Sequence, residues 1–487
     1  MARRKPTPIV PPRAPPPRRR PPARASPPPP ARPRPPTAPP RPPLHKKPRG
    51  RRRAIAAATA RGLESLLPLP PAAPPALPPG HHPTDDASHP LLDARPPLPT
   101  DAALRLAPPL PSPPAASPLL PSPPAASASR CALAAAELAA VRRLGEAFRA
   151  CVGGKHWYAH FERWLWAARR GGGGGALPRQ PAAAAMEALR GEMARRGEAA
   201  AAEAACAAVC GAAAEAAAAA ARGGGGGGGG VAVRRGVRGE AELLELRCAG
   251  EAVVVREAYL LKLWALYRRH AAAADRDGFL CAAFAALARL LALQGGQELA
   301  GGMQAACPAA VFDTLRLEFG VTMELFASPV NTRFPQFCSA AEDVDHVFGS
   351  HGSFFDFTPL AGAFIANPPF DPSLVLAMAT RMESLLHAAD EASAELTFVV
   401  VLPRWQDEAC WQALQRSPYS VCEVRMGRSK HAYIDGGQHY ARRKDPRPRL
   451  SNHDSSVFFF QSKRAAGTTR VTPEKQQKLR DAFRGGW

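Results

Sequence analysis

The stretch Ala363-Phe364-Ile365-Ala366-Asn367-Pro368-Pro369-Phe370 is a short apolar run that ends in Asn-Pro-Pro-Phe. Proline donates no backbone hydrogen bond, and it biases the residue before it away from the helical conformation. We therefore predict a buried strand that stops in a rigid, extended turn, with a helix beginning soon after it. In an open α/β sheet this turn would lie at the carboxyl edge of the strands, where ligands bind.

The side chains of this turn suit the exocyclic amine of adenine. Asn367 carries an acceptor oxygen, and the main-chain carbonyl after it offers a second acceptor for the two amine protons. The ring of Phe370 offers a face on which a base can stack, a contact worth ~1–3 kcal/mol. Because that amine is a poor nucleophile, acceptors that hold its protons favour the transition state of methyl transfer to N6. The alternative is an ordinary turn, since Asn-Pro is a common turn starter.

The pattern around this stretch predicts a Rossmann-like α/β core over residues 311–465, followed by a C-terminal tail at 466–487. Helix and strand patterns alternate there, as they do in α/β sheets. The predicted helices span residues 311–319 and 373–389, and the predicted strands span 321–326, 354–357, 363–366, 396–402 and 457–461. The run at 396–402 is continuously apolar and rich in valine, which is typical of a buried parallel strand.

Residues 129–310 predict a helical domain interrupted by glycine-rich linkers at 171–175 and 223–230. Its expected helical segments are residues 131–152, 182–221, 239–269 and 278–293. Aromatic and basic residues are interleaved at 155–166, where they can either hold a base and phosphate or pack a helix into the core. No apolar run reaches the length of a membrane span, and the nearest, 279–293, contains Arg289. We therefore expect no membrane partner.

The N-terminal residues 1–128 hold 42 of the 56 prolines, and residues 1–63 hold 18 Lys and Arg with no acidic residue. This composition predicts a disordered tail with polyproline II character. Such a tail attracts polyanions such as RNA through counterion release, and a merely solvated basic linker is the alternative. The basic cluster at 46–53 is of the nuclear-localisation type, so we expect the protein in the nucleus.

The ten cysteines are scattered, and no two of them have C-x-x-C spacing. The sequence therefore predicts neither a zinc knuckle nor a redox motif, and no metal in the site. A reducing compartment is the natural inference from this usage.

A crevice at the carboxyl edge of the predicted sheet suits S-adenosylmethionine. The segment Phe326-Ala327-Ser328-Pro329-Val330-Asn331 ends the first predicted strand and is the candidate cofactor loop, although the Gly-x-Gly pattern common in methyltransferases is missing. Asp356, near the end of the next predicted strand, can accept hydrogen bonds from a ribose or cap a turn.

Seven short blocks between about residues 310 and 462 resemble one family in order and in spacing. The blocks are Glu324-Leu-Phe-Ala-Ser-Pro-Val-Asn331, Phe337-Cys-Ser-Ala340, Phe348-Gly-Ser350, Asp356-Phe-Thr-Pro-Leu360, Ala366-Asn-Pro-Pro-Phe370, Pro403-x-Trp405 and Gly437-Gln-His439. They resemble the cap-specific adenosine N6-methyltransferase family, also called phosphorylated-CTD-interacting factor. The helical segments upstream resemble the family's helical domain only loosely.

The resemblance implies S-adenosylmethionine as methyl donor and the first transcribed, 2′-O-methylated adenosine of capped mRNA as acceptor. RNA polymerase II or the transcription machinery is the implied partner. By resemblance the catalytic residues are Asn367, Pro368, Pro369 and Phe370; the cofactor-binding residues are Phe326, Ala327, Ser328, Pro329 and Asn331; and the substrate-binding residues are Trp405, Gln406, Asp407, Gln438 and His439. Asp356 joins the candidate cofactor-binding residues because of its position after a predicted strand.

The sequence also departs from the family pattern. The first tryptophan is Trp157, so we expect the family's N-terminal WW domain to be absent, which puts coupling to the polymerase in question. Arg404 and the segment Asp371-Pro372-Ser373 stand where the family has acidic residues, which leaves the cap dependence open. Two alternatives remain: an adenine N6-methyltransferase acting on internal RNA or DNA, and a non-catalytic RNA-binding or scaffold protein.

Overall fold

A computed structural model describes residues 124–153, 157–169, 176–178, 183–195, 197–223, 230–238, 241–271, 275–298, 302–440 and 448–485. The expected N-terminal tail up to residue 123, the basic cluster at 46–53 and the glycine run at 171–175 lie outside these residues. The first helix begins at Pro124, a few residues before the expected end of the tail.

The helical region begins with four helices. They are α1 (Pro124–Val152), α2 (Trp157–Ala168), α3 (Ala183–Arg195) and α4 (Ala202–Gly223). In α2, Phe161, Trp164 and Leu165 are buried, and Phe161 lies 5.2 Å, centroid to centroid, from Phe148 of α1. The aromatics of this helix therefore pack mainly into the core, which is the second of the two interpretations of residues 155–166.

One apolar helix corrects the expectation that no run reaches the length of a membrane span. Residues Ala199–Ala221 are long and apolar enough by length and composition. The segment is rich in alanine, the best helix former, and α4 packs against α1 with Cys206, Val209 and Ala213 buried. A helix packed in a protein core passes the same test of length and composition.

Residues 239–269 do not form the single helix that their pattern suggested. The second half is helix α5 (Glu257–His270), but the first half belongs to an antiparallel sheet. Its strands are β1 (Ala232–Arg238), β2 (Ala241–Cys248) and β3 (Glu251–Arg256). Ala249 and Gly250 both have positive φ (47° and 86°), which makes the tight reversal that a continuous helix would forbid. Helix α6 (Arg276–Leu293) follows, with Asp275 capping its first turn.

The rest of the described chain forms an α/β core. Its helices are α7 (Ala309–Phe319), α8 (Glu342–Asp345), α9 (Pro372–Glu391), α10 (Ala409–Arg416), α11 (Lys463–Thr468) and α12 (Pro473–Gly485). Its strands are β4 (Met323–Glu324), β5 (Gly362–Ala366), β6 (Leu396–Pro403), β7 (Ser420–Met426), β8 (Ala432–Tyr433), β9 (Arg449–Leu450) and β10 (Ser455–Gln461).

The main sheet has five strands in the order β4-β5-β6-β10-β7. The first three are parallel, and β10 runs antiparallel to both β6 and β7, so the sheet is mixed. Alternate side chains of β5 serve opposite faces: Phe364 packs into one apolar cluster and Ile365 into the other. Every residue of β6 is buried, because the sheet has a packed layer on each side. The predicted α/β class is confirmed.

Three local predictions differ from the structure. The strand expected at 321–326 shortens to Met323–Glu324, and the one expected at 354–357 is a turn with Phe355 exposed. Residues 466–487 were expected as a tail, yet α12 lies in this segment and buries Leu479 and Phe483 against the sheet. Apolar residues four apart lie on one face of a helix, and here that face covers the sheet.

A buried arginine joins the helical region to the core. Nε of Arg289 in α6 donates to Glu137 of α1 at 2.8 Å, and its two terminal nitrogens donate to both oxygens of Asp343 in α8 at 2.9 Å. Two parallel bonds from one guanidinium fix orientation as well as distance. These bonds fix the position of α1 and α6 of the helical region relative to α8 of the core.

Candidate active site

The turn after β5 has the rigid form that its prolines predict. Asp371 caps α9, accepting from the backbone nitrogen of Leu374 at 2.9 Å, and Pro372 occupies the first turn of the helix. A missing backbone donor costs nothing at that position, which is why proline is favoured there. Asn367 is thereby held between the end of the strand and the start of the helix.

The side-chain amide of Asn367 has a defined orientation. Its Nδ2 donates to the carbonyl oxygen of Ala305 at 2.8 Å. Since a carbonyl only accepts, the nitrogen must face Ala305 and the oxygen must face away. Among the described residues, Asn367 Oδ1 is one of the few buried side-chain atoms without a hydrogen-bond partner.

The expected cofactor loop closes on itself. The Oδ1 of Asn331 accepts from the backbone nitrogen of Ser328 at 2.7 Å and from the Ser328 hydroxyl at 3.0 Å. The backbone nitrogen of Thr332 donates to the Ser328 carbonyl at 3.0 Å. The loop is therefore shaped by its own Asn side chain, without the glycines that methyltransferase loops commonly use.

Two buried groups of opposite charge, Lys262 and Glu324, both bind the segment that contains this loop. Nζ of Lys262 in α5 donates to the carbonyls of Val330 and Thr332, at 3.0 and 2.5 Å. Glu324 of β4 accepts from the Thr332 hydroxyl at 3.2 Å and from the backbone nitrogen of Arg333. Burial lowers the pKa of Lys262 to about 7 and raises the pKa of Glu324 to about 7, and each charge opposes the shift of the other.

A cavity of about 550 Å³ lies at the carboxyl edge of β4 and β5, against the helical region. It brings together Phe326, Ala327 and Asn331 of the loop with Asn367 and Pro369 of the turn. Its other walls include Ser339, Ser353, Phe354, Phe355, Met303, Gln304 and Ala305, and, from the helical region, Glu162, Trp166, Arg169, Leu293 and Gln294. The expected catalytic turn and the expected cofactor loop thus open into one space.

Phe370 lies in an aromatic cluster beside this cavity. Its ring meets Trp405, Tyr433 and His453 edge to face, with centroids 6.0, 6.1 and 6.1 Å away. The contact with Trp405 joins an expected catalytic residue to an expected substrate residue. Sequence reasoning missed Tyr433 and His453, because neither stands in a recognisable motif and both reach Phe370 only through folding.

Several expected site residues lie outside the main cavity. Ser328 and Pro329 line a smaller neighbouring cavity of about 40 Å³, and Pro368 is buried in the turn. Asp356 is exposed in the turn that replaces its expected strand, although Ser353 in the same turn lines the main cavity. The structure therefore places these residues near the site but gives Asp356 no position on the cavity wall.

The other expected substrate residues divide into two groups. Gln406 accepts from Arg404 at 2.5 Å, and Asp407 is exposed beside it, so both lie at the surface next to Trp405. Gln438 and His439 instead face the helical region. Gln438 accepts from the Tyr259 hydroxyl at 2.6 Å, and the imidazole of His439 meets the Tyr259 ring edge to face.

His439 is only 3% exposed. Burial lowers its pKa to about 3, against a backbone hydrogen bond with Gly436 that favours the charged form. The ring is therefore neutral at physiological pH, and its contacts are those of a group that anchors residues 438–440 to α5.

The described residues contain no group of three or more His, Cys, Asp or Glu side chains with the geometry of a metal site.

Comparison with known proteins relates the centre of this structure to a described family. Residues 262–436 match the family model described as the Phosphorylated CTD interacting factor 1 WW domain. In this chain the matched residues run from α5 through most of the mixed sheet, and they include Lys262, the loop and the Asn-Pro-Pro-Phe turn.

Two curated relatives match a larger part of the chain. It is 36% identical over 251 residues to the mRNA (2′-O-methyladenosine-N(6)-)-methyltransferase of Mus musculus, covering 50% of this chain and 35% of the relative. It is 35% identical over 250 residues to the Homo sapiens protein of the same description, with the same coverage of 50% and 35%. The chain thus spans about a third of the length of these relatives.

Proposed function

We propose that the chain is an mRNA cap adenosine N6-methyltransferase, because half of it aligns with two mRNA (2′-O-methyladenosine-N(6)-)-methyltransferases and residues 262–436 match the phosphorylated-CTD-interacting-factor model. The observation that carries the proposal is the buried, unpartnered Oδ1 of Asn367 on the wall of the cavity. Leaving a buried acceptor unpaired costs ~1–3 kcal/mol. A ligand that brings a donor to this atom, as an exocyclic amine does, recovers that cost.

Three residues of the turn have distinct roles in this proposal. Asn367 Oδ1 accepts one proton of the adenine amine, the main-chain carbonyl of Pro368 accepts the other, and the Phe370 ring supports the base. As the amine nitrogen becomes more tetrahedral, its lone pair leaves the ring and its protons become more acidic. The hydrogen bonds to these acceptors therefore strengthen toward the transition state, which is what accelerates a reaction.

The cavity fits S-adenosylmethionine, which supplies the methyl group when bound. A volume of about 550 Å³ lies within the usual range of small-molecule sites. Apolar surfaces for a flat base are present on Phe326, Phe354 and Phe355. Hydrogen bonds to a polar ligand can be formed by the buried, unpartnered polar atoms of Trp166, Gln294 and Asn367. The parallel strands β4, β5 and β6, with the cavity at their carboxyl edge, support a Rossmann-like arrangement of this part of the sheet.

The aromatic cluster beside the turn is the proposed place of the acceptor nucleotide. Trp405, Tyr433 and His453 surround Phe370, and aromatic rings bind bases of any sequence by stacking. The activity named for the two relatives supports 2′-O-methyladenosine of mRNA as the acceptor, and we propose that this nucleotide stands next to the cap. We further propose a nuclear location, on the basic cluster at 46–53, and a place beside RNA polymerase II, on the name of the matching family.

Methyl transfer from labelled S-adenosylmethionine to short RNAs tests this function. Four substrates of one sequence are compared: capped RNA beginning with 2′-O-methyladenosine, capped RNA beginning with adenosine, uncapped RNA and DNA. We expect transfer to the capped RNAs alone. Equal transfer to uncapped RNA or DNA would support the internal adenine methyltransferase instead, and cofactor binding without transfer to any substrate would support a binding protein.

A matched pair of variants controls the assay. Asn367→Ala removes the proposed acceptor, whereas Gln477→Ala removes an exposed amide on α12, remote in sequence from the turn. Losing one preorganised polar contact to a transition state typically lowers turnover by ~10²–10³-fold. We expect such a loss for Asn367→Ala with unchanged thermal unfolding, and none for Gln477→Ala.

A further inference from the structure

The helical wall of the main cavity carries polar groups that the proposed chemistry does not use. Gln294, at the end of α6, is 2% exposed, and its Oε1 accepts from the Tyr440 hydroxyl at 3.3 Å. Its Nε2 is buried without a hydrogen-bond partner, and so is the indole nitrogen of Trp166 in α2. Both residues line the cavity, so two donors there can form hydrogen bonds with an acceptor group of a ligand.

Two groups of opposite charge stand on the same wall. Glu162 lies in α2 and Arg169 directly follows its last residue, where its backbone nitrogen still donates to the Leu165 carbonyl at 3.2 Å, and both side chains line the cavity. Arg169 Nε donates to the Leu165 carbonyl at 3.3 Å, and its guanidinium lies 5.7 Å from the Trp166 ring centroid. Burial lowers the pKa of Arg169 to about 10, and Glu162 opposes the shift, so the guanidinium stays charged at neutral pH.

A ligand with one carboxylate and one ammonium group matches this wall. A cation and two neutral donors favour a carboxylate, and the Glu162 carboxylate favours a neighbouring ammonium. A polyphosphate fits less well, since it would bring several negative charges into a partly buried space that already holds a carboxylate. The wall thus has the charge pattern of a receptor for an α-amino acid group.

We propose that the helical region holds the amino-acid end of S-adenosylmethionine, with Arg169, Gln294 and Trp166 receiving the α-carboxylate and Glu162 receiving the α-ammonium. The inference rests on the proposed function, because it takes the nucleoside end of the same ligand to lie against Phe326 and Phe354. Cofactor binding then needs both parts of the chain, and the α/β core alone supplies only half of the site.

Two adenosine compounds separate the two ends of the site. S-adenosylhomocysteine carries the amino-acid group, and 5′-methylthioadenosine has the same thioether-linked adenosine without it. Calorimetric titration of the full chain with each compound measures binding without requiring turnover. We expect S-adenosylhomocysteine to bind at least ~10-fold more tightly, since hydrogen bonds between an ionised carboxylate and a guanidinium are stronger than neutral ones.

Variants assign that preference to the wall. Arg169→Met and Glu162→Gln are each expected to weaken S-adenosylhomocysteine by at least ~10-fold and to leave methylthioadenosine unchanged. The control is Arg163→Ala, an exposed arginine of the same helix, which we expect to change neither affinity. Thermal unfolding of each variant verifies that the helix is intact.

Three results would overturn the inference. Equal affinity for the two compounds in the unmodified chain would show that the amino-acid group is not recognised. If Arg169→Met and Glu162→Gln both kept the preference for S-adenosylhomocysteine over methylthioadenosine, the amino-acid group would bind at other residues. Displacement of the cofactor product by 7-methylguanosine diphosphate in an Arg169-dependent manner would assign the wall to a nucleotide. Failure of both adenosine compounds to bind would overturn the proposed function itself, which is a distinct outcome.

Discussion

The Asn367 amide donates from Nδ2 to the carbonyl of Ala305 at 2.8 Å, and this bond leaves Oδ1 without a partner at the cavity wall. Ala305 precedes Ala306, which exchanges two backbone hydrogen bonds with Ile434, at 3.0 and 2.8 Å. Three separate segments therefore fix the direction of one acceptor atom. An acceptor held in place before the substrate arrives needs no reorganisation during the reaction, which is the condition for strong electrostatic catalysis.

Replacing Asn367 by Asp tests this arrangement with a nearly isosteric change. A carboxylate cannot donate to the Ala305 carbonyl, and two oxygens would then face each other across the former bond. We expect turnover to fall by ~10²-fold or more. Methyl-transfer assays measure the turnover, and S-adenosylhomocysteine binding is measured as the control. An Asn367→Asp variant with near-normal turnover would contradict the role of the oriented amide.

The Trp405 ring supports Phe370 edge to face at 6.0 Å. Trp405→Ala removes this support and one of the surfaces available to the acceptor base. We expect the KM for RNA to rise by ~10-fold or more, since stacking contributes ~1–3 kcal/mol per base, while the affinity for S-adenosylhomocysteine stays the same. Steady-state kinetics measure the KM for RNA, and calorimetry measures the affinity for S-adenosylhomocysteine. Loss of cofactor affinity with unchanged KM would contradict it.

Lys262 and Glu324 are both buried and their charges interact, so replacing only one of them is costly. Lys262→Met removes the donor to the Val330 and Thr332 carbonyls and the positive charge that favours the Glu324 carboxylate, and leaving a buried charge uncompensated typically costs ~3–5 kcal/mol. We expect a lower midpoint of thermal unfolding for the single variant. Lys262→Met combined with Glu324→Gln should restore part of the loss, because it leaves no buried unpaired charge. A double variant less stable than the single would contradict the interaction between the two charges.

Buried neutral imidazoles predict a definite pH dependence of stability. The pKa of His439 is about 3 in the folded chain because of burial, against about 6.5 when unfolded. Above pH 6.5 both states bind no proton there, so the residue has no effect. Between about 6.5 and 3 the unfolded chain binds more protons, so the free energy of unfolding falls with falling pH, by up to ~1.4 kcal/mol per unit.

Denaturant unfolding at several pH values measures that slope. His439→Gln should make it shallower, whereas His387→Gln, at an exposed position of α9, should leave it unchanged. An equal slope in His439→Gln and the unmodified chain would show that the imidazole is not held neutral.

The sequence predicts best where local chemistry decides the structure. The prolines after Asn367 force the turn, and the valine-rich run at 396–402 has no stable alternative to a buried strand, so β5, β6 and α9 follow from the pattern. The strand β7 was not predicted, because Glu423 and Arg425 break its apolar pattern at the edge of the sheet. The sequence of β2 and β3 predicts helix instead, since their charged and apolar residues fit either period.

The same distinction holds for the site. Phe326, Asn331 and Asn367 were predicted because their motifs are short and continuous in sequence. Arg169 and Gln294 were not, because they reach the cavity from helices far from the turn in sequence. No local pattern encodes a contact that depends on how two parts of a chain pack together. Gln438 and His439 illustrate the converse, since a motif identified them but the fold directs them toward α5.

The most direct test of the central claim is the identity of the methylated nucleoside. Capped RNA beginning with 2′-O-methyladenosine is incubated with the protein and labelled S-adenosylmethionine, then digested to nucleosides and separated. The proposal predicts label in N6,2′-O-dimethyladenosine from the unmodified chain, and none from Asn367→Ala, which still binds S-adenosylhomocysteine. Label at another atom or nucleotide, or N6 transfer that persists in folded Asn367→Ala, would contradict the account.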